Sequence, residues 1–99
     1  MSFSTHVLDA VTGRPAAGVH VRLEHEGEIV AEGITDDDGR IKGWDPGEGV
    51  HRVVFDTGAY LPETFYPEVV ITFTVTDPAQ HYHVPLLLSP YAYSTYRGS

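Results

Sequence analysis

The sequence predicts an antiparallel β-sandwich, and three observations lead to that class. Apolar residues alternate with polar ones over short runs, most clearly in residues 19–24 (VHVRLE), as expected for strands with one buried face. Residues that favour turns separate these runs. No stretch has the length of a substantial helix. Short strands punctuated by turns are typical of a sandwich of two sheets.

The predicted strands number about eight, an ordinary count for two small sheets. In chain order they are residues 5–9, 19–24, 28–34, 40–43, 52–55, 69–76, 81–88 and 91–96. Turns rich in Gly, Pro and Asp are predicted at residues 12–15, 36–39, 45–47 and 77–78. Gly39 is suited to a positive φ angle in its turn. The only plausible helical stretch lies around residues 60–66 and is bounded by proline.

Composition narrows the possible functions. The 99 residues predict a single domain, residues 1–99, with little reserve of stability, so assembly into an oligomer would help it. The chain has no cysteine, which excludes disulfides, thiolate metal sites and a cysteine nucleophile. Its formal net charge of -8 repels phosphate backbones, so we expect no nucleic-acid partner.

Targeting signals are not apparent. The N-terminus has no basic region followed by an apolar run, and no apolar stretch approaches the ~20 residues that a membrane helix needs. The Arg-Gly-Ser ending is not a peroxisomal address of the Ser-Lys-Leu type. We therefore expect a cytoplasmic protein with no membrane partner.

The last nine residues (YAYSTYRGS) are unusually rich for a chain terminus, which is commonly frayed. Three tyrosines supply apolar faces with polar tips, and the ending adds a guanidinium, a flexible backbone and a carboxylate. This set of groups suits a polar pocket. Tyr91 and Tyr93 lie on the alternate face of the predicted strand from Tyr96, and we expect them to serve in packing.

Histidines are the main candidates for chemistry. His81 and His83 begin a strand, so their side chains should share one face about 7 Å apart. An HxH pair is a weak motif, and from spacing alone one exposed and one structural histidine is the simpler interpretation. His6 lies on the face opposite Val7, and from this strand alone an ordinary surface position is the favoured interpretation. Leu8 and Leu87 share the faces of His6 and His83, and such a mixture suggests an interface.

Arg40 follows an Asp-Asp-Asp-Gly turn. The simplest interpretation is a cation that offsets three neighbouring carboxylates on a solvated loop. A calcium loop is excluded, because the alternating ligands and the bidentate glutamate that such a loop requires are missing.

Taken together, these segments resemble the transthyretin-related 5-hydroxyisourate hydrolase family over nearly the whole chain. The motifs that carry the resemblance are THVLD at 5–9, GRPA at 13–16, DGR at 38–40, VVFDTG at 53–58, FYPE at 65–68, HYHVPLLLSP at 81–90 and YSTYRGS at 93–99. The Tyr-Arg-Gly-Ser ending is the mark that separates the hydrolases from the hormone carrier transthyretin. Two departures are a short connection over residues 58–66 and Ala92, which stands where glycine is common in the family.

The resemblance implies a prealbumin-like sandwich of two four-stranded sheets with at most one short helix. It also implies a homotetramer, a dimer of dimers, whose active sites lie in a channel between dimers. The substrate would be 5-hydroxyisourate, and the product of opening its cyclic amide would be 2-oxo-4-hydroxy-4-carboxy-5-ureidoimidazoline, in urate catabolism. The catalytic residues that the resemblance implies are His6, Arg40, His83 and Tyr96.

The family pattern further implies which residues bind the substrate, namely His6, Arg40, Tyr96, Arg97, Gly98 and Ser99, with no metal or other cofactor. In such a site one imidazole would accept a proton from water and the other would protonate the departing nitrogen. The sequence does not distinguish base from acid, although His6 is slightly favoured as base. Arg40 would orient the substrate and stabilise the carbonyl oxygen.

The sequence is compatible with two other functions. A zinc hydrolase could use His6, His81 and His83 as ligands with an activated water. Alternatively, a carrier without catalytic activity could hold a small aromatic ligand in a tetramer channel, as transthyretin does. The histidines and the Tyr-Arg-Gly-Ser ending favour the enzyme over the carrier.

Overall fold

Two β-sheets packed face to face form the protein, as the sequence predicts. The computed structural model describes residues 2–99. The strands are β1 (Ser2–Asp9), β2 (Arg14–Pro15), β3 (His20–His25), β4 (Glu28–Ile34), β5 (Arg40–Trp44), β6 (Gly49–Phe55), β7 (Val69–Val75), β8 (His81–His83), β9 (Leu86–Ser89) and β10 (Ala92–Thr95). One helix, α1 (Thr57–Tyr60), follows β6.

The first sheet contains six strands but is built as a path of four, β10-β9-β1-β2, with β5 and β8 as further partners of β1. Along one side of β1 lie β5 and then β2, both antiparallel. Along its other side lie β8 and then β9, both parallel to it. The second sheet has the antiparallel order β4-β3-β6-β7. The expected sandwich of two layers is therefore present, with parallel pairing on one side of β1.

The core lies between the sheets and is made by alternate residues of each strand. Along β1, Phe3, Thr5, Val7 and Asp9 are buried, whereas the residues between them are half-buried. This alternation follows from the two-residue period of a strand. The largest fully buried side chains of the core are Phe3, Phe55, Leu23, Leu86 and Leu88. The other face of β1 carries Ser2, Ser4, His6 and Leu8, all half-buried.

The predicted strand over residues 81–88 is interrupted. Its first part is β8 and its second part is β9, and the break falls at Val84 and Pro85. Proline has no N–H to give to a ladder, so a continuous pairing with β1 is not possible there. Val84 instead donates its N–H to the carbonyl of Ser4 at 3.0 Å. The break leaves His81 and His83 on a short strand of their own.

The helix lies before the stretch where the sequence placed it. The structure has the one short helix that the sequence allowed, but not over residues 60–66, since α1 ends at Tyr60 and Leu61 is extended (φ -96°, ψ 121°). Leu61 precedes Pro62, and a residue before proline avoids helical angles. The short connection is anchored where Gly58 donates its N–H to the carbonyl of Pro67 at 2.8 Å. No helix among residues 2–99 is long and apolar enough to cross a membrane.

Candidate active site

His6 and Arg40 face each other across two paired strands. They are register partners in the antiparallel ladder between β1 and β5. His6 is half-buried and lies on the face of β1 opposite the core, as its position beside Val7 predicts. Directly opposed residues of an antiparallel pair have Cβ atoms about 4.5–5.5 Å apart. The ladder therefore brings an imidazole and a guanidinium together on one face of the sheet.

The turn before β5 fixes the position of Arg40. The side-chain Oδ1 of Asp36 accepts the N–H groups of Asp38 and Arg40, each at 2.9 Å. Those bonds, with the one from Arg40 as the strongest cause, lower the pKa of Asp36, and the charges of Lys42 and Arg40 add to the effect. Gly39 has φ 75°, and a Cβ there would lie 2.4 Å from the carbonyl oxygen of Val7. Only glycine fits this close approach of the turn to β1.

His83 enters the same face from the other side of β1. Because β8 runs parallel to β1, Ser4 is the register partner of His83, and Ser2 is that of His81. The rings of His81 and His83 are stacked, with centroids 6.3 Å apart and planes 14° apart, close to the predicted spacing. The hydroxyl of Ser4 lies 2.7 Å from Nδ1 of His83 and 3.1 Å from Nε2 of His81.

The surroundings of His83 favour its neutral form. Burial is the main cause that lowers the pKa of His83, and the positive charges of Arg40, His81 and His6 lower it further. A hydrogen bond to the backbone of Ser4 acts in the opposite direction. A neutral imidazole can accept a proton, so the site has a side chain suited to act as a base near pH 7.

The end of the chain returns to His83. Gly98 forms a β-bridge with His83, in which the Gly98 N–H donates to the His83 carbonyl at 2.8 Å. A Cβ on Gly98 would lie 2.4 Å from Cδ2 of the His83 ring. The backbone of the tail thus lies directly on the imidazole, and Ser99 follows it as an exposed residue.

Other residues of the tail lie elsewhere. The guanidinium of Arg97 sits 4.6 Å from the ring centroid of Tyr82, in a cation–π arrangement. Its Nη2 donates to Oε1 of Gln80 at 3.3 Å. Tyr96 is 60% exposed and lines a cavity of about 330 Å³ with Arg97, at the open edge of the sandwich beside Phe73. Within this single chain, His6, Arg40, His83 and Gly98 are brought together, whereas Tyr96 and Arg97 are not.

The tyrosines expected to pack behave differently from one another. Tyr93 makes an edge-to-face contact with Tyr66, with ring centroids 5.2 Å apart. Tyr91 is 75% exposed and so is not a packing residue of this chain.

Ala92, which stands where glycine is common in the family, begins β10 opposite Ser89. Ala92 does not have a positive φ angle. Among residues 2–99, Glu26 is the only residue other than glycine that has one. Alanine therefore causes no backbone strain at position 92.

The site has no ready set of metal ligands. Among residues 2–99, no group of three or more His, Asp or Glu side chains is arranged so that it could hold a metal ion. His81 uses its two ring nitrogens to meet Ser2 and Ser4. The alternative of a zinc centre built on His6, His81 and His83 therefore lacks a preformed ligand set.

Ser4 is the residue of this site that sequence reasoning missed. It lies two residues before His6 on β1, so the strand period alone places both side chains on one face. That signal was available in the sequence. The parallel register that sets Ser4 beside His83 could not be inferred from it, because the partners of β1 come from the far end of the chain.

The fold and the site together define the class of protein: a transthyretin-like β-sandwich that carries two histidines and an arginine on the outer face of one sheet. The chain belongs to the HIUase/Transthyretin family, whose family model matches residues 3–98. The resemblance inferred from the sequence motifs is confirmed.

Relatives of known function and structure are similar over most of the chain. The 5-hydroxyisourate hydrolase of Salmonella typhimurium is 47% identical over 108 aligned positions, which cover 97% of this chain and 79% of the relative. A structure of the Klebsiella pneumoniae 5-hydroxyisourate hydrolase has a TM-score of 0.90 at 37% identity, covering 99% of this chain and 93% of that one. Sea bream transthyretin in complex with thyroxine has a TM-score of 0.84 at 32% identity, covering 97% and 93%.

Proposed function

We propose that this protein is a 5-hydroxyisourate hydrolase that opens the cyclic amide of its substrate in urate degradation. Relatives named for that activity support the assignment, at 47% and 43% identity over 97% of the chain. The observation that carries it is the meeting of His6, Arg40 and His83 on one face of β1. These three side chains supply the acid, base and oxyanion functions that amide hydrolysis requires.

His83 is the proposed general base. Its lowered pKa keeps the imidazole neutral near pH 7, and Nδ1 is engaged by Ser4. With Nδ1 engaged, Nε2 is the nitrogen proposed to accept a proton from water. The deprotonated water then attacks the carbonyl carbon of the cyclic amide. This assignment replaces the slight preference for His6 as base in the sequence analysis.

Arg40 and His6 complete the reaction. As water adds, negative charge grows on the carbonyl oxygen, and the guanidinium of Arg40 can donate to it. The Asp36 turn holds the Arg40 backbone and so limits the reorganisation needed for that contact. His6, the register partner of Arg40, would give a proton to the departing nitrogen as the C–N bond breaks. One imidazole thus takes a proton from the water that attacks the carbonyl carbon, and the other gives a proton to the nitrogen of the same C–N bond.

The tail is proposed to bind the substrate and close the site. Gly98 lies against the His83 ring, and the exposed Ser99 follows it with its hydroxyl. Tyr96 and Arg97 are also predicted to bind substrate. In the single chain they lie away from His83, at the cavity beside Phe73 and over the ring of Tyr82. Their part in binding therefore requires that the cavity beside Phe73 be completed by another copy of the chain.

A homotetramer, as a dimer of dimers, is the proposed assembly. β7 and β10 are edge strands of the two sheets and line the same cavity, and edge strands can pair with a second copy. On the outer face of the first sheet, Leu8 and Leu87 are half-buried and flank the histidines. A channel lined by this face would enclose the site. The cytoplasmic location predicted from the sequence stays a prediction, which fractionation of cells would test.

Fresh substrate, made by urate oxidase, decays spontaneously and can be followed by ultraviolet absorbance. We expect the protein to accelerate the decay in proportion to its concentration, and to do so after exhaustive treatment with a chelator. A protein that binds the compound without accelerating its decay would instead be a carrier, the class that the transthyretin–thyroxine complex represents. The same measurement therefore separates the two functions.

A further inference from the structure

A chain of hydrogen bonds leads from His83 to the surface. Nδ1 of His83 meets the Ser4 hydroxyl at 2.7 Å, and the same hydroxyl meets Nε2 of His81 at 3.1 Å. Nδ1 of His81 then meets the hydroxyl of Ser2. His83 is half-buried, whereas His81 is exposed. The Ser4 hydroxyl is the single group that connects the two imidazoles.

The parallel pairing of β1 and β8 builds this chain. Ser2 and Ser4 are register partners of His81 and His83, so all four side chains project from one face of the sheet. The two rings are nearly parallel, 14° apart, with centroids 6.3 Å apart. A hydroxyl oxygen between two such rings can bond to both, because it can donate one hydrogen bond and accept another.

The hydrogen bonds between His83, Ser4 and His81 can be arranged with their protons pointing in either of two directions. In the first, His83 donates from Nδ1 to Ser4 Oγ, and Ser4 donates to Nε2 of His81. In the second, every donor and acceptor is exchanged, so the proton of His81 lies on Nε2 and that of His83 on its own Nε2. Both imidazoles are neutral in each arrangement, and only the first leaves Nε2 of His83 free to accept a proton.

We propose that Ser4 and His81 form a proton relay that removes the charge from His83 during hydrolysis. The inference rests on the proposed function. A proton from water enters His83 at Nε2, the proton on Nδ1 passes to Ser4 Oγ, and the Ser4 hydroxyl proton passes to Nε2 of His81. No proton is gained or lost in the relay, and the positive charge moves from His83 to His81. Ser4 is a positioning residue, and His81 is the terminal acceptor.

The charges around the rings of His83 and His81 favour movement of the positive charge from His83 to His81. The groups that act on His83 are His6 from β1, Arg40 from β5 and His81 from β8, and all three are cationic or can become so. His81 is exposed, so water can solvate its charge. Arg97, from the tail, approaches only the carbonyl side of His81, with Nη2 3.5 Å from that oxygen. The lowered pKa of His83 agrees with the preference.

Two substitutions test the relay in the intact protein. Ser4→Ala removes the connection, and we expect kcat to fall by about tenfold to a hundredfold with little change in KM, the lower end of what proton transfer contributes. Ser4→Thr keeps a hydroxyl and should restore most of the loss. His81→Gln keeps a hydrogen-bond partner for Ser4 but cannot take a proton, so kcat should fall as in Ser4→Ala. Ser89→Ala, on the same sheet, controls for loss of a hydroxyl.

The pH profile and the tautomer give readouts that a merely structural role would not move. His81→Gln removes one of the charges that lower the pKa of His83, so the acid limb of kcat/KM should move to higher pH. In substrate-free protein, ¹⁵N NMR should show His83 with its proton on Nδ1, and Ser4→Ala should shift the population toward Nε2–H. Circular dichroism confirms folding, and His81→Gln remains informative if Ser4→Ala fails to fold.

The outcomes separate this inference from the function on which it rests. An active wild type in which Ser4→Ala or His81→Gln retains full kcat would overturn the relay and leave the function intact. An unchanged His83 tautomer in Ser4→Ala would overturn the positioning role of Ser4. An inactive wild type would overturn the function and the relay's part in it, while NMR would still decide whether Ser4 sets the tautomer.

Discussion

The N–H of Gly98 donates to the carbonyl of His83 at 2.8 Å, so the end of the chain is bonded to the strand that carries the proposed base. The contact extends to the side chain, since position 98 has room for a hydrogen but not for a methyl group beside the imidazole. Backbone and ring are therefore fixed by one residue. A change that moves His83 should therefore also move the tail, and a change that moves the tail should also move His83.

Gly98→Ala should damage activity more than stability. The new Cβ would lie 2.4 Å from Cδ2 of His83, which forces either the ring or the tail to move. We expect kcat/KM to fall by about a hundredfold, as small misplacements of catalytic groups can cause. Gly33→Ala, whose Cβ would meet Trp44 at an ordinary 3.4 Å, is the matched control. Equal activity in the two variants would contradict the prediction.

His83→Ala should abolish most of the turnover. It removes the proposed base, and proton transfer by a positioned side chain contributes about 10²–10⁴-fold. Steady-state kinetics on fresh substrate measure the loss, and size-exclusion chromatography should show the same assembly as the wild type. Near-normal turnover in this variant would remove His83 from the mechanism.

Arg40→Lys keeps the charge and should still lower kcat. Lysine cannot offer the planar fork of donors that arginine presents, and loss of one oxyanion donor commonly costs about 10²–10³ in kcat. We expect a loss at the lower end of that range because one cationic donor remains. Arg52→Lys, on an exposed position of β6, tests the same exchange elsewhere on the surface. If both variants keep wild-type kcat, Arg40 serves the turn and not the reaction.

Deletion of residues 96–99 should abolish hydrolysis and leave the sandwich folded. It removes the Gly98 bridge and the Arg97 guanidinium over Tyr82, but none of the buried side chains of the core. We expect far-ultraviolet circular dichroism close to that of the wild type and a modestly lower melting temperature. Measurable hydrolysis by the truncated protein would show that the tail is dispensable.

Stability should fall as the solution is acidified below neutrality, in part because of His51. This side chain is 2% exposed and stacks on His25 with centroids 4.4 Å apart. Burial is the main cause that lowers the pKa of His51 from its ordinary value of 6.5, and the charge of His25 adds to it. Below pH 6.5 the unfolded chain binds a proton that the folded protein does not, so the free energy of unfolding decreases until the folded pKa is reached.

His51→Phe should flatten that dependence, because phenylalanine does not titrate. One proton contributes a slope of at most about 1.4 kcal/mol per pH unit, and urea unfolding between pH 7.5 and about 5.5 measures it. The variant loses the hydrogen bond between His51 and the Gly49 carbonyl, so its stability at neutral pH should be lower. His20→Gln controls for removal of a histidine as such. An unchanged slope in His51→Phe would contradict the assignment.

Features set by neighbours along the chain could be predicted from the sequence. Alternation along β1 places His6 opposite Val7, and both the outward position of His6 and the positive φ of Gly39 are present. The spacing of His81 and His83 also agrees with the strand geometry. Each of these depends on two or three adjacent residues, for which strand period and turn chemistry are sufficient.

Features set by distant partners could not be predicted in this way. The parallel pairing of β8 with β1 decides which hydroxyl meets His83, and the sequence separation between Ser4 and His83 leaves no local trace of it. The split between β8 and β9 and the early end of α1 are different, because Pro85 and Pro62 marked both in advance. The His25–His51 stack belongs with the features that could not be predicted, because it follows from pairing of β3 with β6.

β1 carries core residues on one face and His6 with Ser4 on the other. The same eight residues are therefore under two selections at once, one for packing and one for chemistry. A substitution at Val7 or Phe3 that the core tolerates can still tilt the strand and misdirect an imidazole on its far side. Libraries designed to stabilise this protein should leave β1 untouched and take their diversity from β4, whose residues are mostly exposed.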